Sequence, residues 1–213
     1  HLETLQMKQS ELTPQERGEY LDVATRQSRR IGLLVEQLLE AAKLEAGQVT
    51  VNVEPFPIGE LLQDVVQKFA LAARDCGVAL EVDAMAAATM VSGDIALLER
   101  VLDNLIDNAL RHTPIGGRVT VQSQPRGERV RVSVTDSGPG LTREEAERAF
   151  KRFYRGDPGR STHSGQSGLG LAIVKSILEL HGSDVAVESQ PGHGASFYFE
   201  LPIVTQPPRT APT

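Results

Sequence analysis

Asp136-Ser137-Gly138-Pro139-Gly140 opens the stretch that decides the fold, and Ser167-Gly168-Leu169-Gly170-Leu171 closes it. The first element follows a strand-like run and the second leads into an apolar helix. Between them lie Phe150-Lys151-Arg152-Phe153-Tyr154-Arg155 and a polar, Gly-rich segment. Two glycine elements bracketing such a loop suggest a phosphate-bearing ligand. Backbone amides at a helix start would hold it, where the dipole favours anions. A lone Asp-Ser-Gly-Pro-Gly would read as a plain turn.

Upstream, residues 94–111 pattern as a strong amphipathic helix with an apolar stripe through Val101, Leu102, Leu105 and Ala109. At roughly 100° per residue, Asn104, Asn108 and Arg111 fall on one face at the rim of that stripe. Two amides one turn apart can bring carbonyl oxygens to a hard cation that also holds phosphates. The plainer reading, two boundary residues satisfied by neighbours, loses ground beside the glycine elements. Asp136 ends a strand whose alternate residues are buried. At the mouth of an apolar slot its carboxylate can accept a hydrogen bond from an exocyclic amine. Gly138 and Gly140 would let the backbone approach a flat ring.

The rest of the chain is arranged around this centre. Its 213 residues suffice for one sizeable core plus a smaller element, with 40% hydrophobic and 23% charged residues. A formal net charge of −6 disfavours nucleic-acid binding. The single cysteine, Cys76, excludes an internal disulfide and fits a reducing compartment. There is no signal-peptide pattern and no apolar run of membrane-spanning length, so no membrane contact is expected of this chain. It begins at His1 in mid-pattern and reads as a piece of a longer protein, compatible with a membrane anchor upstream.

Residues 1–10 resemble a helix end. Thr13-Pro14, with Glu16, opens a second helix to about Ala46, with Gly47 as its C-terminal cap. Leu21, Ala24, Ser28, Ile31, Val35, Leu38 and Ala42 recur in steps of three and four, a heptad seam suited to an antiparallel hairpin. Two helices alone cannot bury that seam, so homodimerisation through it is expected. The alternative is a helix packed on its own domain. Residues 47–57 read as a linker and first strand, the strand at 49–53. A helix follows at 58–75, then strands at 78–82 and 90–91. Two strands joined at Pro125-Arg126-Gly127 come next. The chain closes with a helix at 168–180 and a hairpin around Gly192-His193-Gly194. The expected class is α+β: a mixed sheet with helices over 58–204, preceded by a helical hairpin in 1–46. Residues 141–167 are expected to form a mobile lid and 205–213 a disordered tail.

Five motifs in order, Asn-x3-Asn, Asp-x-Gly-x-Gly, Phe-x-x-Phe-Tyr-Arg, Gly-Leu-Gly-Leu and Gly-x-Gly before a strand, resemble the sensor histidine kinases. These lie within the ATPase superfamily of gyrase B, MutL and the heat-shock chaperone ATPases. The resemblance covers nearly the whole chain and implies the superfamily's ATP-binding domain, a two-layer α/β sandwich with helices on one face of the mixed sheet. It implies ATP and Mg²⁺ as ligands, and a fragment that is the cytoplasmic catalytic portion of a kinase. That portion would pass the ATP γ-phosphate to a histidine, for relay to a response regulator. It also implies that 1–46 is the latter part of the dimerisation and phosphotransfer hairpin.

By resemblance, Asn108 holds Mg²⁺ with Asn104 assisting. Arg111 faces phosphates, and His112 stands where an aromatic packs near adenine or is simply a helix-end histidine. Asp136 binds the adenine amino group, with Gly138 and Gly140 shaping its pocket. Tyr154 and Arg155 belong to the lid, with Arg155 near phosphate. Gly168, Leu169, Gly170 and Leu171 cover the triphosphate. Two departures stand out. Ala195 replaces the family's hydroxyl residue after the last glycine, which leaves Ser196 as the candidate, and Gln166 stands where Gly is common. The hydrolysing branches place a glutamate base four residues before the metal-binding Asn, where this chain has Asn104. Transfer rather than hydrolysis is therefore expected. None of the five histidines, His1, His112, His163, His181 and His193, carries the acceptor context. The acceptor is expected upstream, and this chain is not expected to phosphorylate itself.

Overall fold

The structure, a computed structural model, describes residues 13–154 and 168–204. Helix α1 (Pro14–Glu45) starts in a capping box. Glu16 N donates to Thr13 Oγ1 at 3.3 Å, and Thr13 N donates to Glu16 Oε2 at 2.8 Å. Gly47 leaves it with φ +62°. The first arm of the expected hairpin, residues 1–10, lies outside the described residues, as do the lid's 155–167 and the 205–213 tail.

The elements then run β1 (Glu54–Pro57), α2 (Ile58–Asp75), β2 (Ala79–Ala84), β3 (Met90–Gly93) and α3 (Ile95–His112). After them come β4 (Arg118–Arg126), β5 (Arg129–Asp136), α4 (Arg143–Arg148), α5 (Gly170–Leu180), β6 (Val185–Ser189) and β7 (Ala195–Pro202). The main sheet has the order β2-β4-β5-β7-β6. β2 runs parallel to β4, and the other neighbours are antiparallel, so the sheet is mixed as expected.

Alternation along the strands sorts the two faces. Val119 and Val121, then Val130, Val132 and Val134, then Phe197, Phe199 and Leu201 are buried on the inner face. Onto it pack Leu62 and Val65 of α2, Leu98, Leu102, Leu105 and Ile106 of α3, and Ile173, Ile177 and Leu178 of α5, in one core. Each such aliphatic side chain contributes about 1.5–3 kcal/mol by leaving water. The outer face is half-exposed and polar, and there the Arg131 guanidinium lies 4.1 Å over the Tyr198 ring.

Three local expectations need correction. The first strand is 54–57, paired antiparallel with β3, rather than 49–53. Asn52 gives its N–H to Asp94 Oδ2 at 2.9 Å instead of to a strand. Pro55 and Pro57 are tolerated because alternation turns their missing donors to the free side of a two-stranded pair. The expected lid is not loop from its start: α4 forms inside it, with a capping box between Thr142 and Glu145. Phe150 anchors this segment edge-on to Phe197, with ring centroids 6.1 Å apart. Finally, α5 begins at Gly170 rather than Gly168, because Gly168 has φ +70°.

α1 leans on the sandwich through its last turns. Ala41 and Leu44 are buried, α1 packs on α5, Glu40 pairs with Arg100 of α3, and Glu45 pairs with Arg152. Farther up, Leu21, Ile31, Val35 and Leu38 of the heptad seam are exposed, and so are Leu33 and Leu39. Among the described residues no helix is long and apolar enough to cross a membrane.

Candidate functional site

Asp136 closes β5 on the inner face and is only 5% exposed. Its Oδ1 accepts from Gly138 N at 2.8 Å and from Ala195 N at 3.3 Å. Burial raises its pKa above the ordinary carboxylate value, opposed by those two N–H donors and by nearby His112. A carboxylate anchored through one oxygen by two main-chain donors is held in orientation. It can then accept from an amine at the mouth of the core.

The glycines around it have a reason within the fold itself. A Cβ on Gly138 would sit 2.5 Å from the His112 carbonyl oxygen, and one on Gly140 would run into the Gln190 carbonyl. Gly192 N also donates to Pro139 O at 2.7 Å. Backbone of the same protein therefore fills the space that these two glycines leave open. They shape the pocket by letting the 137–140 loop seat on the 190–194 turn and on the end of α3.

Beside that turn lies a residue that the sequence reading passed over, Ser189 at the end of β6. Ser189 Oγ donates to Gly194 O at 2.6 Å and accepts from Leu141 N at 2.8 Å. Gly194 meets the Asp136 carbonyl, and Ala195 supplies the second N–H to its side chain. A serine ending a strand just before Gly-x-Gly was the available signal. Ser196 is not brought to Asp136. It is paired with Thr135 across the β5–β7 ladder, and the two hydroxyls share a 2.8 Å hydrogen bond on the outer face. Strand alternation puts the hydroxyl of residue 196 on the side of the sheet opposite to residue 195.

The amide face lies on α3. Asn104 and Asn108 are half-buried beside the buried Val101, Leu102, Leu105 and Ala109. Asn104 Nδ2 donates to Arg100 O at 2.8 Å. Only the nitrogen can donate to that carbonyl, so Oδ1 is turned the other way. A Cβ on Gly170 would lie 2.9 Å from this Oδ1. The amide oxygen therefore abuts the start of α5, where the first N–H groups of a helix lack intrahelical partners. An oxygen ligand fixed beside such a helix start suits a hard cation accompanying a phosphate chain. Arg111 is exposed and donates from Nε to Asp107 Oδ2 at 2.8 Å, one turn back.

At the α5 start, Gly168 and Leu169 behave differently. Phe153 N donates to Gly168 O at 2.9 Å, and a Cβ on Gly168 would crowd the Phe153 and Tyr154 main chain. Leu169 is 2% exposed, so its side chain belongs to the core and only its main chain is available to a ligand. Gly170 and Leu171 are half-buried. Tyr154 lies under the Arg148 guanidinium at 4.6 Å. Arg155 falls outside the described residues.

The fold and the site are those of a nucleotide-binding domain, with a buried carboxylate at Asp136 and an amide face where α3 meets the start of α5. The chain belongs to the histidine kinase-, DNA gyrase B- and HSP90-like ATPase family, which matches residues 93–205. It is 34% identical over 180 residues to the sensor-like histidine kinase SenX3 of Mycobacterium tuberculosis, covering 84% of this chain and 44% of that protein. Its fold is similar to full-length ShkA solved with AMPPNP, with TM-score 0.76 and 30% identity over 93% of this chain and 41% of that one. It is also similar to histidine kinase ThkA solved with the response regulator TrrA, with TM-score 0.75 and 26% identity over 94% and 55% of the two chains. The chain thus spans less than half the length of SenX3.

Proposed function

We propose that this chain is the ATP-binding catalytic portion of a sensor histidine kinase. It would transfer the γ-phosphoryl group of ATP to a histidine outside this chain, for relay to a response-regulator aspartate. The bond from γ-phosphorus to the bridging oxygen breaks as a bond to an imidazole nitrogen forms, and the electron pair leaves on ADP. Asp136 and the 137–140 loop receive adenine, and the α5 start receives the phosphates. Asn108, with Asn104, would hold Mg²⁺, which neutralises phosphate charge. Arg111 and, by the resemblance, Arg155 are the candidate cations for the phosphates.

The observation that carries this reading is Asn104. It stands where the hydrolysing branches place a general base. Its amide is spent on Arg100 O and on facing Gly170. An amide cannot take a proton from water at neutral pH, so the site positions a phosphoryl group without activating water. The exposed seam of α1 supports dimerisation through the proposed helical hairpin. The proposed setting of the domain is cytoplasmic, with a response regulator as partner.

The test mixes this chain and Mg²⁺-ATP with a longer form that carries the acceptor but has a disabled nucleotide site. Phosphate on the longer chain is the expected result. Free phosphate without transfer would support an ATPase instead, and binding alone a nucleotide-binding pseudo-kinase.

A further inference from the structure

His181 caps the end of α5 and makes two directional contacts through its ring. Nε2 accepts the Asp94 backbone N–H at 3.0 Å, and Nδ1 lies 2.8 Å from Ile177 O. A nitrogen that accepts an N–H carries no proton, so Nδ1 holds the ring hydrogen and donates it to Ile177 O. Asp94 is itself fully engaged at the start of α3. Its Oδ1 accepts from Leu97 N at 3.1 Å as the helix N-cap, and its Oδ2 accepts from Asn52 N at 2.9 Å. Gly93 makes room for the approach: a Cβ there would lie 2.5 Å from Leu98 Cδ1 and 3.4 Å from His181 Cδ2.

The helices α3 and α5 therefore meet at two levels, one at each end of α5. At one end Asn104 Oδ1 abuts Gly170, and at the other Asp94 N–H meets His181. From Asp94 to Asn104, and from His181 back to Gly170, each helix spans about 15 Å at ~1.5 Å per residue. The two helices run antiparallel with matching spans. An axial slip of α5 would break the Asp94–His181 bond and move the phosphate-covering main chain past the amide oxygens of α3.

We propose that His181 is a positioning residue. Through Asp94 it sets the register of α5 against α3, and thereby the fit of the Gly168–Leu171 main chain and the Asn104–Asn108 face to the phosphates of a nucleotide. The inference rests on the ATP-binding reading above. The linker joins the same tie through Asn52, so the connection between α1 and the sandwich ends on the residue that His181 holds.

The test compares the unsubstituted chain with His181→Leu, which removes the acceptor, and His181→Gln, whose Oε1 can replace Nε2. Mg²⁺-ATP and adenosine are titrated into each by calorimetry. Loss of one hydrogen bond that fixes register is expected to weaken Mg²⁺-ATP binding about tenfold in the Leu variant. Adenosine binding at Asp136 should stay unchanged, and the Gln variant should recover most of the loss. Equal weakening of both ligands, no weakening, or a Gln variant no better than Leu would overturn the proposal. Nitrogen-15 spectra of the unsubstituted chain give a second readout that survives a Leu variant failing to fold. The Nδ1–H tautomer is expected, and finding Nε2–H would overturn the proposal. Absence of Mg²⁺-ATP binding to the unsubstituted chain would overturn the ATP-binding reading and this inference with it. Intact binding that ignores His181 overturns this inference alone.

Discussion

The main chain of Gly194 presses on the carbonyl oxygen of Asp136, so that any Cβ at residue 194 would overlap it. The same glycine has φ +76°, and the next residue, Ala195, gives its N–H to the Asp136 carboxylate. One position thus serves a turn conformation, a close approach and the orientation of the Asp136 carboxylate. Gly194→Ala should cost the fold more than about 2 kcal/mol, because backbone strain and steric overlap add. Urea unfolding measures this. A change within about 0.5 kcal/mol would show that the 190–194 turn relaxes freely, since that is the range of featureless surface substitutions.

Asp136→Asn separates the structural and ligand-reading roles of this carboxylate. The amide oxygen can still accept from Gly138 and Ala195, so the fold should survive. The NH₂ group would face the amino group of adenine, donor against donor. Loss of a charge-assisted bond should weaken ATP binding by about 10- to 100-fold. Stability should change in the other direction with pH. The folded-state pKa of Asp136 is raised above its ordinary 3.8, chiefly by burial. Its contribution to stability is therefore fully present below 3.8 and is lost as pH rises through the folded value. The Asn variant has no such term. Its stability relative to the unsubstituted protein should accordingly rise over that interval in unfolding curves taken at successive pH values. A difference that stays constant with pH would contradict the buried-carboxylate assignment.

Much of this site is local in sequence, which is why it was legible. The stripe and amide face of α3 follow from a 3.6-residue period, and Thr13 precedes α1 as a cap does. The valine alternation of β4 and β5 set both the strands and their buried face. What was missed depends on contacts between distant segments, or on one local cue overriding another. His181 and Asp94 are 87 residues apart, and only tertiary packing reveals their bond. The Thr142–Glu145 capping box was visible, but the flanking glycines favoured a continuous lid. Pro55 and Pro57 disguised β1, since proline argues against a strand unless the strand has a free side. Ser196 was chosen for its hydroxyl, whereas β7's pairing decides which face that hydroxyl occupies.

The contact between α1 and the sandwich can be weighed. Arg100 Nη2 and Nε meet both oxygens of Glu40 at 2.8–3.2 Å, a bidentate geometry, although both side chains remain partly exposed. Solvent screening keeps such a pair weak even when its geometry is good. A double-mutant cycle with Glu40→Gln and Arg100→Gln should give a coupling of about 0.5–1 kcal/mol, falling as salt is raised. A coupling indistinguishable from zero at low salt would mean that the buried Ala41 and Leu44 seat α1 without help from charge.

The exposed seam of α1 gives the remaining prediction. Ile31, Val35 and Leu38 lie on one helical face and are all exposed, whereas Ala41 and Leu44, nearer the sandwich, are buried against it. A row of aliphatic residues at heptad spacing gains by pairing with a second copy, because water contact over that row is removed from both. Ile31→Glu with Leu38→Glu would place like charges across such a seam and leave them without partners in an apolar interface. Sedimentation velocity should show a dimer for the unsubstituted chain and a monomer for the double variant. Mg²⁺-ATP affinity should stay within about twofold, because these side chains are exposed and, unlike Ala41 and Leu44, are not packed on the sandwich. A double variant that still dimerises would move the interface away from the heptad face, and a monomeric unsubstituted chain would leave the seam without a partner in this fragment.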